Sequence, residues 1–196
     1  MTFFVTSDTH FGHKNIFEDG YCPKRREWFS GGIKEHDDAL VNIWNGIVGP
    51  DDTVIHCGDF AFGNAAQVSA YRDRLNGHIW MVLGNHDRTL KSMTKCICRT
   101  TGDVIANGLY LSVNGFNVAV RHMPVICEDD MASKYEFTAH DASANDRLWH
   151  GHIHDRPYVP ISEKLVAWGI DTHPWKIVRI DADVRLLMAD QGEDND

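Results

Sequence analysis

Three short apolar runs constrain the fold of this chain more than any other feature, because each is apolar on both faces. They cover residues 2–6, 53–57 and 78–83. A strand buried on both faces is typical of a parallel sheet covered by helices. Between these runs, apolar residues recur at helical spacing, within residues 34–48 and again over residues 68–75. The order β-α-β-α-β predicts parallel strands joined by helical crossovers.

Signals of antiparallel strands appear after about residue 100. Asn107-Gly108 and Asn114-Gly115 are typical of two-residue hairpin turns and divide residues 103–121 into three predicted strands. Another hairpin is predicted between residues 176–180 and 184–188. The sequence therefore predicts an α/β protein, a four-layer α-β-β-α sandwich of two mixed sheets with helices outside.

Length and apolar content limit the class of protein. The 196 residues predict a single domain over 1–190, followed by an acidic, disordered tail over 191–196. No apolar run approaches the ~18 residues that cross a bilayer. The first residues lack the basic segment of a secretory signal, so we expect a cytoplasmic protein with no membrane partner.

Charge and residue usage limit the partners. The net charge of −9 comes from 28 acidic and 19 basic side chains. Long nucleic acids are held mainly by Lys and Arg, so this balance disfavours them and leaves a small phosphorylated substrate. The five cysteines form no CxxC pair, which indicates reduced thiols. Many of the twelve histidines stand beside Asp, Asn or Gly, a pattern that favours metal binding.

Five short polar motifs follow the strand-like runs. They are Asp8-Thr9-His10, Gly58-Asp59, Gly84-Asn85-His86-Asp87, His122 before Met123-Pro124, and Gly151-His152-Ile153-His154. Any one of them alone is more typical of a surface turn than of a ligand set. Ligands of open α/β sheets bind at the carboxyl ends of strands, so we expect all five motifs at one rim. Their glycines permit tight turns and close backbone approach.

In this order the motifs resemble the calcineurin-like metallophosphoesterase superfamily, whose pattern is D-x-H, G-D, G-N-H-D, H and G-H-x-H. The match spans residues 8–154 and covers every metal-ligand position. The run from Ser7 to His13, with Trp44-Asn45 and Gly58-Asp59-Phe60, is similar to small single-domain members from bacteria and their phages. The resemblance implies the calcineurin-like phosphoesterase fold.

The resemblance also implies a centre of two divalent metal ions. The implied ligands are Asp8, His10 and His154 for the first ion, Asn85, His122 and His152 for the second, and Asp59 as a bridge between both. Mixed imidazole and carboxylate ligands suit transition metals better than Mg²⁺ or Ca²⁺. We expect Mn²⁺, with Fe, Zn²⁺, Ni²⁺ and Co²⁺ as alternatives.

The implied reaction is hydrolysis of a phosphoester by in-line attack of a metal-bridging hydroxide. His86 would serve the leaving group as an acid, and Asp87 would orient His86. We expect a phosphodiester, from a small nucleotide-like substrate, because an acid helps most when the leaving group is a poor alkoxide. A phosphomonoesterase or nucleotide pyrophosphatase on the same site, and a metal-binding interaction scaffold without turnover, are the alternatives.

Further residues are predicted to contact the substrate: Asn85, His13, Arg25, Arg26 and Arg88. The alternative for His13 is an exposed turn residue that caps a following helix. Residues 15–32 are rich in charge and aromatic rings. They form either a solvated loop or a cap over the metals, with cations for phosphate and rings for a base. The oligomeric state stays open between monomer and homodimer.

Overall fold

The computed structural model of the protein describes residues 1–17, 22–124, 144–154, 163–173 and 175–191. Within these residues it contains two five-stranded sheets and four α-helices. The strands are β1 (Phe3–Thr6), β2 (Thr53–His56), β3 (His78–Val82), β4 (Val104–Ala106), β5 (Gly108–Val113), β6 (Phe116–Val120), β7 (Arg147–His150), β8 (Leu165–Ala167), β9 (Val178–Ile180) and β10 (Val184–Asp190). The helices are α1 (Pro23–Trp28), α2 (Ile33–Ile47), α3 (Ala65–Arg72) and α4 (Leu90–Ile97), and a 3₁₀ helix covers Lys14–Phe17. None of these helices is long and apolar enough to cross a membrane.

The first sheet has the strand order β4-β3-β2-β1-β9. Strands β1 to β4 are parallel, and β9 runs antiparallel to β1. The predicted strands β1, β2 and β3 and the predicted helices α2 and α3 are confirmed, with boundaries that differ by a few residues. Helix α3 begins at a capping box, in which Asn64 accepts from the Gln67 N–H and Gln67 accepts from the Asn64 N–H. This sheet is the β-α-β frame that the apolar runs predict.

The second sheet has the order β10-β5-β6-β7-β8 and is also mixed. Strand β5 is antiparallel to β10 and β6, whereas β6, β7 and β8 are parallel. The predicted hairpin at Asn114-Gly115 is confirmed between β5 and β6, with φ of 48° and 84° at its two turn residues. Positive φ at both positions is the requirement of a type I′ turn, which Asn and Gly meet most readily.

Two predicted hairpins are wrong, because in each case the chain passes from one sheet to the other. Strand β4 pairs with β3 in the first sheet, while β5, which follows Asn107-Gly108, lies in the second. Likewise β9 pairs with β1, and β10 pairs with β5, so residues 181–183 connect the sheets. At Asn107-Gly108 a single residue separates β4 from β5, and at both positions the flanking strands pair with other strands.

Two apolar cores hold the layers together. One lies between the sheets and includes Val5, Ile55, Leu109, Leu111 and Val120. The other lies between the first sheet and helices α2, α3 and α4; Trp44, Val68, Met81, Met93 and Ile97 belong to it. A smaller cluster of Ala119, Leu148 and Leu165 covers the outer face of the second sheet. The α/β class and the two mixed sheets are confirmed, while residues 125–143, between β6 and β7, lie outside the described residues.

Candidate metal centre

All seven predicted ligands lie where strands of the two sheets end. Asp8 and His10 follow β1, Asp59 follows β2, Asn85 follows β3, His122 follows β6, and His152 and His154 follow β7. Parallel strands bring these ends to one rim. The loops after β1 and β2 are also hydrogen-bonded to each other, through Asp8 N–H to Gly58 O and His10 N–H to Asp59 O. The motifs therefore meet in space although they are far apart in sequence.

The predicted ligands of the first ion form a buried cluster. His10 Nε2 is 3.5 Å from Asp59 Oδ2 and 3.9 Å from Asp8 Oδ1, and His154 Nε2 is 4.0 Å from Asp8 Oδ1. His10 Nε2 is buried without a hydrogen-bond partner among the described residues. A buried, unpartnered imidazole nitrogen beside two carboxylates fits a metal ligand, because burial without a partner is otherwise costly.

The predicted ligands of the second ion converge on one amide oxygen. Asn85 Oδ1 is 3.0 Å from both His122 Nε2 and His152 Nδ1. His122 Nε2 is also 3.3 Å from Asp59 Oδ2. One carboxylate oxygen of Asp59 therefore lies between a histidine of each cluster, which is the position that a bridging ligand needs.

The ring nitrogens that face away from the clusters have polar partners. His122 Nδ1 donates to Cys57 O at 2.9 Å, and His154 Nδ1 lies 2.9 Å from Asp171 Oδ2. His10 Nδ1 is 3.0 Å from His13 Nδ1. A partner on the far nitrogen fixes the tautomer and leaves the near nitrogen unprotonated for a cation. The donor set thus fits divalent metal ions.

The backbone takes an unusual conformation at most of these ligands. Positive φ occurs at Asp8 (58°), His10 (48°), Asp59 (56°), His152 (72°) and His154 (51°). Among the other described non-glycine residues it occurs only at Asn114 and Trp175. The left-handed conformation costs roughly 1–2 kcal/mol per residue, and such strain concentrates at functional sites. Here the left-handed conformation directs the side chains of Asp8 and His10, which lie in one short loop, into the same cluster.

Two glycines allow the loops to approach this closely. A Cβ atom at Gly84 would overlap the Asp59 carboxylate, and one at Gly151 would overlap the Ser7 hydroxyl. The expectation that these positions need close backbone approach is confirmed.

The charges of the cluster are arranged as a cation would require. Burial raises the pKa of Asp8 and lowers that of His10 well below its usual range. Burial and the neighbouring Asp59 raise the pKa of Asp87 to about 7. Burial lowers the pKa of His122, but the Asp59 carboxylate has the opposite effect and the pKa is raised to about 9. A divalent cation would offset the cost of keeping these carboxylates charged and buried together.

Asp87 takes a position different from the one predicted. Its carboxylate accepts from the backbone N–H groups of Asp59 (2.7 Å), Phe60 (3.0 Å) and Gly84 (2.8 Å). The prediction that Asp87 orients His86 is therefore corrected: Asp87 ties the β2 and β3 loops together and orients Asp59. His86 is placed beside the cluster instead by its own backbone N–H, which donates to Asp59 Oδ1 at 2.9 Å.

His13 belongs to a stack of rings beside the cluster, and the alternative of an exposed turn residue does not hold. It is 4% exposed, and its ring centroid lies 5.0 Å from His10, 5.2 Å from His86 and 4.6 Å from Phe62. Its ring and that of Phe62 are stacked, with an interplanar angle of 15°. Burial and the nearby His86 lower the pKa of His13 to about 4. His13 thus supports His10 and separates it from Phe62.

Arg25 does not take the position of a substrate contact, and this prediction is corrected. Its guanidinium is fully buried and forms a two-point ion pair with Asp171, at 2.8 and 2.6 Å. Its neighbour Arg26 is exposed on α1, and Arg88 is exposed with Nη1 3.3 Å from Gly63 O. Substrate contacts by Arg26 and Arg88 stay predictions.

The predicted cap over residues 15–32 is described except for residues 18–21. Its rings contact the protein body: Phe29 is buried, and both Trp28 and Phe29 pack on Trp175 at 4.7 and 4.6 Å between centroids. Among its described residues Phe29 and Arg25 are buried, whereas Trp28 is 39% exposed and Arg26 is exposed, so the cap over the metals stays a prediction.

Sequence reasoning missed two residues beside the centre, Asp171 and Phe62. Asp171 follows β8 in Gly169-Ile170-Asp171, which is the same glycine-marked strand end that singles out the other motifs. It also groups with Cys22 and His154 as possible metal ligands, but its carboxylate oxygens already accept from Arg25. Phe62 carried no signal beyond its place two residues after Phe60.

Comparisons with known proteins agree with this geometry. The profile of the calcineurin-like phosphoesterase superfamily domain matches residues 1–167. An uncharacterized protein of Methanocaldococcus jannaschii is 25% identical over 191 residues, which cover 94% of this chain and 90% of that protein. The gene 66 protein of Mycobacterium phage D29 is 31% identical over 165 residues, or 77% of each chain. The crystal structure of a protein of unknown function from Aquifex aeolicus shares the fold, with a TM-score of 0.64, 19% identity and coverage of 91% and 95% of the two chains.

Proposed function

Since the chain belongs to the calcineurin-like phosphoesterase superfamily, we propose that it hydrolyses a phosphodiester of a small, nucleotide-like molecule with two divalent metal ions. The observation that carries this proposal is the position of Asp59 Oδ2, 3.5 Å from His10 Nε2 and 3.3 Å from His122 Nε2. One carboxylate oxygen between two imidazole nitrogens from different strands supports a shared ligand of two ions.

The chain's own residues would hold the ions in two sets. The first set is Asp8, His10 and His154, the second is Asn85, His122 and His152, and Asp59 joins both. When bound, two such ions lower the pKa of a shared water and stabilise charge on the phosphoryl oxygens. Carboxylate and amide oxygens suit Mn²⁺, whereas imidazole also suits Fe, Zn²⁺ and Ni²⁺. Mn²⁺ is the ion that we propose, with these metals and Co²⁺ as alternatives.

His86 is the residue best placed to serve the leaving group. Its ring centroid lies 5.4 Å from that of His10, and its backbone is held by Asp59. Its side chain is half-buried at the edge of the cluster, within reach of an incoming ester. A proton donated there would stabilise a departing alkoxide, and this favours a diester over a monoester.

The position of Phe62 favours a substrate whose leaving group has a planar face. It is 47% exposed, stacks on His13 and lies 6.3 Å from His86 between ring centroids. A half-exposed ring beside the leaving-group acid offers a surface on which a base or an aryl group can stack. The acidic net charge of −9 supports a small substrate over a long nucleic acid.

The test compares two chromogenic substrates on one metal-stripped preparation. After chelation and dialysis, Mn²⁺ is added and release of nitrophenolate is followed from bis-p-nitrophenyl phosphate and from p-nitrophenyl phosphate. We expect no turnover without metal, and faster turnover of the diester once Mn²⁺ is restored.

Each other result identifies an alternative. Faster turnover of the monoester would indicate a phosphomonoesterase, and release of pyrophosphate from a nucleoside triphosphate would indicate a nucleotide pyrophosphatase. No turnover with Mn²⁺, Fe²⁺, Zn²⁺, Ni²⁺ or Co²⁺ would contradict the proposal and leave a metal-binding scaffold.

A further inference from the structure

We propose that the buried ion pair of Arg25 and Asp171 is a positioning device for the first metal site. Asp171 orients the ring of His154, and Arg25 holds the main chain at Asp8, so that the pair sets two ligands of one ion. The inference rests on the proposed function, because it concerns residues around the same centre. Neither residue belongs to the five motifs that predicted the ligands.

Asp171 contacts the ring of His154 on the side away from Asp8. Asp171 is 1% exposed, and its Oδ2 lies 2.9 Å from Nδ1 of His154. On the other side of the ring, Nε2 faces Asp8 at 4.0 Å. The carboxylate therefore keeps the proton on Nδ1 and the lone pair of Nε2 directed at the ion site.

Arg25 contacts the main chain of the loop after β1. Besides its two bonds to Asp171, the guanidinium donates from Nη2 to Asp8 O at 2.5 Å and from Nη1 to Thr9 O at 3.3 Å. Asp8 has a positive φ of 58°, a left-handed backbone conformation that costs free energy in a residue other than glycine. A fixed cation on its carbonyl restrains the loop in the form that aims the Asp8 carboxylate at His10 and His154.

Stability alone does not account for burying Arg25 and Asp171. Burying two charges costs several kcal/mol per ion, and a well-packed apolar pair is often as stable. The five donors of Arg25 are instead spread over Asp171, two carbonyls of the ligand loop and His36 Nε2 at 3.1 Å. Apart from His36, each of these partners is the main chain of a predicted ligand, the main chain of its neighbour Thr9, or the carboxylate that contacts His154.

The chain supplies a matched control in the buried pair of Arg72 and Asp103. Arg72 Nη2 lies 3.1 Å from Asp103 Oδ1, and the other Arg72 donors reach the carbonyls of Leu75, Gly77 and Ile97. Like Arg25 and Asp171, this pair joins distant segments inside the protein. It contacts none of the seven predicted ligands, so it tests the effect of losing a buried pair as such.

The experiment titrates Mn²⁺ into metal-stripped wild-type protein, Asp171→Asn and Asp103→Asn, and follows binding by calorimetry and by EPR. In the wild type Asp171 Oδ2 faces both His154 Nδ1 and Arg25 Nη2, while Oδ1 accepts from Arg25 Nε. Asp171→Asn removes the charge and replaces one of these oxygens by an NH₂ group, which cannot accept, so the ion pair and at least one of the three contacts are lost. For Asp171→Asn we expect the affinity of one site to fall by about 10- to 100-fold while the second site is unchanged. The EPR spectrum should then change from that of paired ions to that of a single ion at limiting Mn²⁺.

The control variant shows the effect of losing any buried ion pair, and a second variant tests the same metal site by another substitution. Asp103→Asn should lose stability but bind two ions with wild-type affinities. Arg25→Lys keeps the charge and loses the two-point contact, so it should weaken the same site as Asp171→Asn; it decides the question if Asp171→Asn does not fold.

Three outcomes would overturn the inference: unchanged affinities in Asp171→Asn, equal weakening of both sites, or, where only Arg25→Lys folds, wild-type binding by that variant. A wild-type protein that binds fewer than two Mn²⁺ ions would instead overturn the proposed function, so the two failures are distinguishable.

Discussion

The side chains at the candidate centre form two groups: the predicted metal ligands, and the residues that hold these ligands in place. Asp59 belongs to the first group through Oδ2, while its Oδ1 accepts from the His86 N–H and its own N–H donates to Asp87. His86 has its backbone in this network, but its imidazole is not among the predicted ligands. Substitution should therefore separate metal binding from catalysis at these two neighbouring residues.

We expect Asp59→Asn to bind neither ion tightly, because the shared oxygen loses its charge, whereas His86→Ala should keep both ions and lose kcat by about 10²- to 10⁴-fold. Metal content after dialysis, measured beside turnover of a diester whose leaving group is a simple alkyl alcohol, checks both variants. A His86→Ala protein that has lost its metal would show that His86 supports the ligands and not the leaving group.

Phe62 gives a prediction about substrate choice. Phe62→Ala should raise KM for bis-p-nitrophenyl phosphate by about 5- to 30-fold, since base or aryl stacking contributes ~1–2 kcal/mol, with a smaller effect on a diester whose leaving group is a simple alkyl alcohol. Phe116→Ala, which removes a 55% exposed ring at the β5–β6 turn, is the control and should leave both values unchanged. Equal losses on both substrates would contradict the stacking role.

At the scale of helices and strands, the sequence predicted those elements that are set by residues close together in the chain. Runs apolar on both faces predicted β1, β2 and β3. The polar motifs at strand ends predicted one shared rim, and the ligand set was implied by the resemblance to the metallophosphoesterases. The hairpin predicted at Asn107-Gly108 is wrong, because local pattern does not tell which sheet each flanking strand joins. That choice depends on the two cores, with Ile105 on the helix side and Leu109 between the sheets.

Contacts between distant segments could not be predicted either, because local pattern does not tell which segments meet in the fold. Arg25 and Asp171 are separated by 146 positions, and the charge of Arg25 does not tell whether its guanidinium faces solvent or the interior. Adjacent helical residues point about 100° apart, which is why Arg26 is exposed while Arg25 is buried. Helix α4 was not predicted, although Met93, Cys96 and Ile97 carry its apolar spacing.

The connection between α4 and β4 gives a prediction about stability. Burial raises the pKa of Asp103. Its carboxylate accepts hydrogen bonds from the backbone N–H groups of Ile79, Arg99 and Thr100, and these bonds hold the pKa below its usual value. A lowered pKa stabilises the fold above the unfolded pKa of about 4, and this stabilisation is lost as pH falls through the folded pKa. Asp103→Asn should therefore lower the unfolding free energy by about 2–4 kcal/mol at pH 7, and by less at pH 3.5.

Urea unfolding of both proteins in the presence of a chelator measures this difference without a contribution from metal. A deficit of Asp103→Asn that stays constant from pH 7 to pH 3.5 would show that the charge of Asp103 does not contribute.

For the molecule as a whole, the centre joins the two sheets. Ligands come from loops after β1, β2 and β3 of the first sheet and after β6 and β7 of the second, and the His152 N–H donates to both oxygens of Asp8 across that boundary. Five of the seven ligands hold the left-handed conformation, and the Asp8 carboxylate is fully buried. Each of these features costs folding free energy that bound cations would recover, so metal binding and folding should be coupled.

Ligand binding to the native state alone stabilises it by RT ln(1 + [L]/Kd), or about 2.7 kcal/mol at a hundredfold excess over Kd. For a chain of this size 1 kcal/mol corresponds to roughly 2–4 °C, so Mn²⁺ at that excess should raise Tm by about 5–10 °C relative to chelated protein. Thermal melts at matched ionic strength measure the shift, and Mg²⁺ at the same concentration should give a smaller one. Asp59→Asn should melt at the same temperature with and without Mn²⁺, because the oxygen shared by the two sites has lost its charge. A wild-type shift that persists in Asp59→Asn would place the stabilising ion elsewhere on the protein and separate metal binding from the seven converging ligands.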